Sequence, residues 1–123
     1  MLVKVREQHV WMCARHAIVY SSAVTTGAVD VPYARTPTGT FTIQGKERNR
    51  VLTLLSGEQY SVHYWIPFDA PLFGFHDSAW QKMRYGSQKY RTKGSHGCIH
   101  LPLPAMKFLY RWADVGARVA VKP

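Results

Sequence analysis

The chain has 123 residues, 46% of them hydrophobic and 13% aromatic, which suits one ordered domain with a single core and excludes a disordered or low-complexity chain. Sixteen Lys and Arg against seven Asp and Glu give a formal charge of +9, which favours anionic partners without naming one. No apolar run approaches the length of a membrane span, and two cysteines, Cys13 and Cys98, are too few for a disulfide-stapled framework.

Met1-Leu2-Val3-Lys4-Val5-Arg6 alternates apolar and basic residues as a strand does, and no long apolar stretch of the signal-peptide kind follows it. Cys13, in Val10-Trp11-Met12-Cys13, reads as a small buried hydrophobe and a free thiol. Residues 17–20 form an apolar run that ends in Ser21-Ser22 and a turn at Thr25-Thr26-Gly27. Residues 28–39, with Pro32, Pro37 and Gly39, read as a loop. Alternation resumes over Phe41-Thr42-Ile43, with 45–49 as punctuation, and residues 51–55, 60–66 and 72–76 are three further strands. Ser78-Ala79-Trp80-Gln81 has capping-box spacing, so Asp77 or Ser78 is expected to cap a short helix. A clearer helix starts near Pro104, with Met106, Leu109 and Trp112 or Ala113 at helical spacing, and ends by Gly116. Residues 118–121 then close the chain as a strand. Short strands punctuated by Gly and Pro predict a mostly β domain over residues 1–123, sandwich- or barrel-like, with one or two short helices.

The basic residues are scattered through 46–50, 82–93 and 111–122, with no helix-turn-helix or zinc-finger spacing, so no nucleic-acid partner is expected. The chemistry concentrates in Gly94-Ser95-His96-Gly97-Cys98-Ile99-His100-Leu101. A thiolate is a strong nucleophile where the thiol is weak, and an imidazole beside it can take the proton. His76, in Gly74-Phe75-His76-Asp77-Ser78, is far enough upstream for a second strand to bring it back beside Cys98. If residues 96–100 are extended, His96, Cys98 and His100 share one face. A metal site using those three and His76 is the competing chemistry. Three ligands along one strand face converge poorly on a tetrahedral centre, and no regular Cys pairs support it. A purely structural turn around a buried cysteine is the bland alternative.

These residues resemble the catalytic domain of the L,D-transpeptidases (the YkuD type), bacterial enzymes that cross-link peptidoglycan. The family pattern is a histidine, a variable spacer, then Ser/Thr-His-Gly-Cys, a hydrophobic residue and usually Asn or Arg. His76, Ser95, His96, Gly97, Cys98 and Ile99 match it, Thr36-Pro37-Thr38-Gly39-Thr40-Phe41 resembles a strand start common in the family, and Trp80 has frequent counterparts. His100 stands where Asn or Arg is usual. The resemblance implies that Cys98 is the nucleophile, His76 the base, and the backbone carbonyl of Asp77 the group that orients His76. It implies that His96 orders the site through hydrogen bonds, that the N–H groups of Gly97 and Cys98 face the oxyanion, and that Trp80, Ser95 and His100 contact substrate. It further implies a 3→3 cross-link formed through a Cys98 acyl-enzyme, with no metal and no cofactor, and acylation by carbapenems. Peptidoglycan stem peptides would be the partners, together with anionic wall polymers, in an extracytoplasmic, cell-wall setting. Hydrolysis of the same acyl-enzyme, which would make an L,D-carboxypeptidase, and a non-catalytic wall-binding module are the alternatives.

Overall fold

A computed structural model describes residues 1–123. Eight strands precede the longer helix and one follows it. These are β1 (Leu2–Lys4), β2 (His9–Ala14), β3 (Ala17–Ala23), β4 (Gly39–Thr42), β5 (Glu47–Thr53), β6 (Gln59–Asp69), β7 (Phe73–Asp77) and β8 (Ile99–Leu101), with β9 (Arg118–Lys122) at the end. Helix α1 (Tyr90–Lys93) lies between β7 and β8, and α2 (Leu103–Trp112) between β8 and β9. They form two sheets, in the orders β3-β2-β1-β9-β4 and β5-β6-β7-β8. Pairing is antiparallel except for β1 with β9 and β7 with β8. The mostly β architecture is the one expected, and of the sandwich- or barrel-like forms it is the one with two sheets.

Alternation sets what each strand buries. In β9, Val119 and Val121 point into the core while Arg118 and Lys122 face solvent. Val3, Val10 and Met12 of the first sheet meet Ile66, Phe68, Phe75, Ile99 and Leu101 of the second, and Met106 and Leu109 of α2 complete the same cluster. Such a core is the main favourable term in folding. Strand β6 changes character along its length. Its first half buries only Val62 and Tyr64, but from Tyr64 to Phe68 every residue is buried. Of the two extra buried residues in that stretch, Trp65 and Pro67, Trp65 faces the site described below.

Several local expectations need correction. The Ser78–Gln81 segment is a turn, not a helix: Gln81 N–H reaches Ser78 O at 2.9 Å, and the Ser78 hydroxyl bonds the Gln81 side chain instead of a backbone N–H. The Asp77 carboxylate caps nothing; it accepts the backbone N–H groups of His63 and Tyr64 and the His63 ring. Residues 47–49 belong to β5, not to a break. Cys13 is exposed, because Val10 and Met12 take the inward parity of β2. Both cysteines are free thiols, as expected. Helix α2 begins at Leu103, with Pro104 in its first turn, where a missing N–H costs nothing, and stops at Ala113, before Gly116.

Candidate active site

Strand register assembles the site. In the second sheet Glu47 pairs with Trp65, Trp65 with His76, and His76 with His100. Residues in register share a face, so Trp65, His76 and His100 form a row across the sheet. Their rings touch: His76 lies 4.5 Å from His100 and 5.9 Å from Trp65, centroid to centroid. Trp80 stacks on His76 at 5.9 Å and on Tyr60 at 4.7 Å. Cys98 precedes the first residue of β8. His76, Trp80, Cys98 and His100 all line one cavity of about 760 Å³. Its rim carries Arg50, Lys82 and Lys93 against a single carboxylate, Glu58.

The loop bearing Cys98 is held from below. Gly97 has φ +129°, a conformation that side chains resist, and an added Cβ would lie 2.3 Å from the Phe73 ring. Ser95 donates its hydroxyl to Cys98 O and accepts the Gly97 N–H at 3.0 Å. Thr36 donates to Gly97 O and accepts the Gly27 N–H, both at 2.8 Å. Gly27 itself has no room for a Cβ, which would sit 1.8 Å from Ala34 O. On the other side Thr25 pairs with His100 through two backbone bonds of 2.8 and 2.9 Å.

His76 is 4% exposed. Its Nδ1 contacts the Asp77 carbonyl at 2.8 Å. A carbonyl only accepts, so Nδ1 carries the proton and Nε2 keeps its lone pair. Burial holds the imidazole down at about 4, although the Asp77 carbonyl bond and carboxylate pull the other way. Burial also pushes the Cys98 thiol up to about 11, against a smaller opposing pull from the Gly74 backbone. The thiol donates to Leu72 O at 3.2 Å. The cavity is therefore lined by a neutral thiol and a neutral imidazole, not by a thiolate and an imidazolium. Asp77 stays below its ordinary value: burial would raise it, but the bonds from His63 and Tyr64 outweigh that effect.

The residues named from sequence separate into two groups. Cys98, His76, Trp80 and His100 meet at the cavity, and the Asp77 carbonyl holds His76 from outside its lining. Three others behave differently from expectation. His96 lines the cavity too, but it is exposed and its ring makes no hydrogen bond through which to order the site. Residues 96–98 are a bend, not a strand, so His96 does not share the face of Cys98 and His100. The Gly97 N–H is committed to Ser95, which leaves the Cys98 N–H as the unpaired donor of the two. Ser95 lines the cavity, but its hydroxyl is held within the turn. Sequence reading missed Gln81 and the structural task of Thr36. Thr36 had a signal in its Thr-Pro-x-Gly context. Gln81 had none, because its partners Thr25 and His100 are remote in sequence.

Comparison with known proteins agrees with this geometry. The YkuD family model, the L,D-transpeptidase catalytic domain, matches residues 1–121. A Bacillus subtilis relative, YciB, which carries the same family name, is 27% identical over 113 residues, covering 88% of this chain and 57% of its own. The crystal structure of an Enterococcus faecium L,D-transpeptidase, a cysteine-to-serine variant, superposes with a TM-score of 0.86 at 34% identity. That match covers 98% of this chain and 48% of the other. The NMR structure of the catalytic domain from the same organism, acylated by ertapenem, gives 0.79 at 35% identity, over 97% and 92% of the two chains. This chain thus spans about half the length of YciB and of the Enterococcus faecium crystal structure. With the family profile matched from end to end and the fold shared with solved members, the chain belongs to the YkuD family of L,D-transpeptidase catalytic domains.

Proposed function

We propose that residues 1–123 act as one catalytic domain, a cysteine-dependent L,D-transpeptidase that forms 3→3 cross-links in peptidoglycan outside the cytoplasm. The observation that carries this reading is the fixed tautomer of His76, whose unprotonated Nε2 lines the same cavity as the Cys98 thiol. In the first half-reaction, Sγ of Cys98 adds to the carbonyl carbon of the third residue of a donor stem. His76 Nε2 takes the thiol proton as the bond forms. The Cys98 N–H then stabilises the oxyanion; removing such a donor typically costs about a hundredfold in rate. Collapse breaks the amide, and His76 returns the proton to the departing D-alanine amine. In the second half, the side-chain amine of an acceptor stem attacks the thioester and gives up a proton to His76, and Cys98 leaves as thiolate and is reprotonated.

Substrate recognition is consistent with the cavity. Arg50, Lys82 and Lys93 at the rim suit the carboxylates of stem peptides and of anionic wall polymers, and Trp80 walls the cleft beside His76. Incubation with a carbapenem, read by intact mass, tests the reading. The wild type should gain one adduct and Cys98→Ala none. An adduct on Cys98→Ala, or none on the folded wild type, would sink it.

A further inference from the structure

His100 occupies the position where the family usually has Asn or Arg, and its surroundings fix its chemistry. Gln81 Nε2 donates to the Met83 carbonyl and to the Thr25 hydroxyl, each at 2.8 Å. Because a carbonyl can only accept, this orientation settles the amide and turns its oxygen toward His100. Gln81 Oε1 is 2.9 Å from His100 Nδ1 and also receives the Ser78 hydroxyl at 3.2 Å. Nδ1 of His100 is therefore the protonated nitrogen. Nε2 is left as an acceptor, and it has no partner within the protein.

The same holds for Nε2 of His76. Neither nitrogen is sealed away, since no fully buried side-chain nitrogen or oxygen lacks a hydrogen bond. Both imidazoles line the cavity, and the nearest open space is that cavity. Burial first, then His76 and His96, hold His100 well below the ordinary histidine range. It stays neutral. Two lone pairs thus sit on rings 4.5 Å apart, on one face of the sheet, beside the thiol. A carboxylate or carbonyl would be repelled there, and a group with two N–H bonds on one nitrogen would satisfy both.

We infer that His100 is a specificity-determining residue of the second half-reaction, accepting one N–H of an incoming primary amine while His76 accepts the other. This inference rests on the Cys98/His76 reading proposed above. During attack the amine lone pair forms the new bond to the thioester carbon. The proton on the His76 side transfers to His76 Nε2, and the Cys98 C–S bond breaks. The N–H on the His100 side remains on the new amide and keeps the nitrogen oriented throughout. A neutral secondary amine has one N–H, which must go to His76, so it forfeits the His100 contact.

The test is a two-by-two cycle in the full chain. Wild type and His100→Leu are each given a donor stem tetrapeptide with an acceptor stem bearing either a primary side-chain amine or its N-methyl counterpart. Carbapenem acylation is followed in parallel. Steric hindrance by the methyl group cancels across the cycle. We expect His100→Leu to raise the KM for the primary amine about five- to tenfold, the worth of one hydrogen bond. The KM of the N-methyl acceptor should change little. His100→Gln, which keeps an acceptor at a similar reach, should recover part of the loss.

Equal losses for both amines would overturn the inference, as would a KM unmoved in His100→Leu. A wild type that acylates but yields only hydrolysis products would overturn it too. A folded wild type that forms no acyl adduct would instead strike the parent reading, so the two failures are distinct.

Discussion

The neutral thiol–imidazole pair makes a prediction about reactivity that separates two kinds of cysteine enzyme. Burial moves the Cys98 thiol from 9.0 to about 11. Two pH units correspond to about a hundredfold lower thiolate fraction at any pH well below 9, and simple alkylating agents react only with the thiolate. The assay is iodoacetamide modification of Cys98 across pH 6–11, folded and in urea, read by mass. It is done in a Cys13→Ser background because Cys13 is exposed. The folded protein should react at least about a hundredfold more slowly than the unfolded chain at neutral pH. Its rate should still climb tenfold per pH unit where the unfolded chain has levelled off. Carbapenem acylation at pH 7 should nonetheless proceed, because in the proposed mechanism His76 removes the proton only as the carbonyl is attacked. A folded-state rate that plateaus below pH 8 would refute the reasoning and establish a resting ion pair.

The low value at His76 has a consequence for stability. The folded imidazole titrates at about 4 and the unfolded one at 6.5. Above 6.5 both forms are neutral and nothing is lost. As pH falls from 6.5 to 4, the unfolded chain binds a proton that the folded one refuses, so stability drops by up to about 3 kcal/mol. Urea unfolding between pH 7 and 4.5 should show a shallower acid loss in His76→Gln than in wild type; parallel curves would contradict the burial account. Thr36 offers a separate check. Thr36→Val leaves the Gly27 N–H and the Gly97 carbonyl without their shared partner and should cost about 2–4 kcal/mol, with Thr36→Ser recovering most of it. Unchanged stability in Thr36→Val would mean that the hydroxyl does not support the cysteine loop.

The proposed nucleophile and base were legible because each sits in a short contiguous motif, and β-strand alternation made most strands of both sheets readable. Failures came where chemistry overrode periodicity. The positive φ of Gly97 ends the extended run that would have aligned His96 with Cys98. That same glycine commits its N–H to Ser95, so it is not free for the oxyanion role that the family resemblance implies. Ser78 and Gln81 have capping-box spacing, but the pair bonds side chain to side chain in a turn. Cys13 was misjudged from its apolar neighbours, although the parity set by Val10 and Met12 already pointed it outward. The bonding of Gln81 to Thr25 and His100 could not be read. Its importance is a property of the fold, since its partner Thr25 lies 56 positions away.

The parallel pairing of β1 with β9 sets Val3 beside Val121. The contact closes a loop of almost the whole chain, and β9 in turn is what joins β4 to that sheet. Loop closure of that length is met before the contact returns any energy, so folding should be slow beside a helical domain of equal size. During synthesis the first sheet stays in two pieces until Val121 has cleared the ribosome, with β1, β2 and β3 able to pair among themselves while β4 waits for β9. The first sheet thus stays unfinished until β9 has been made.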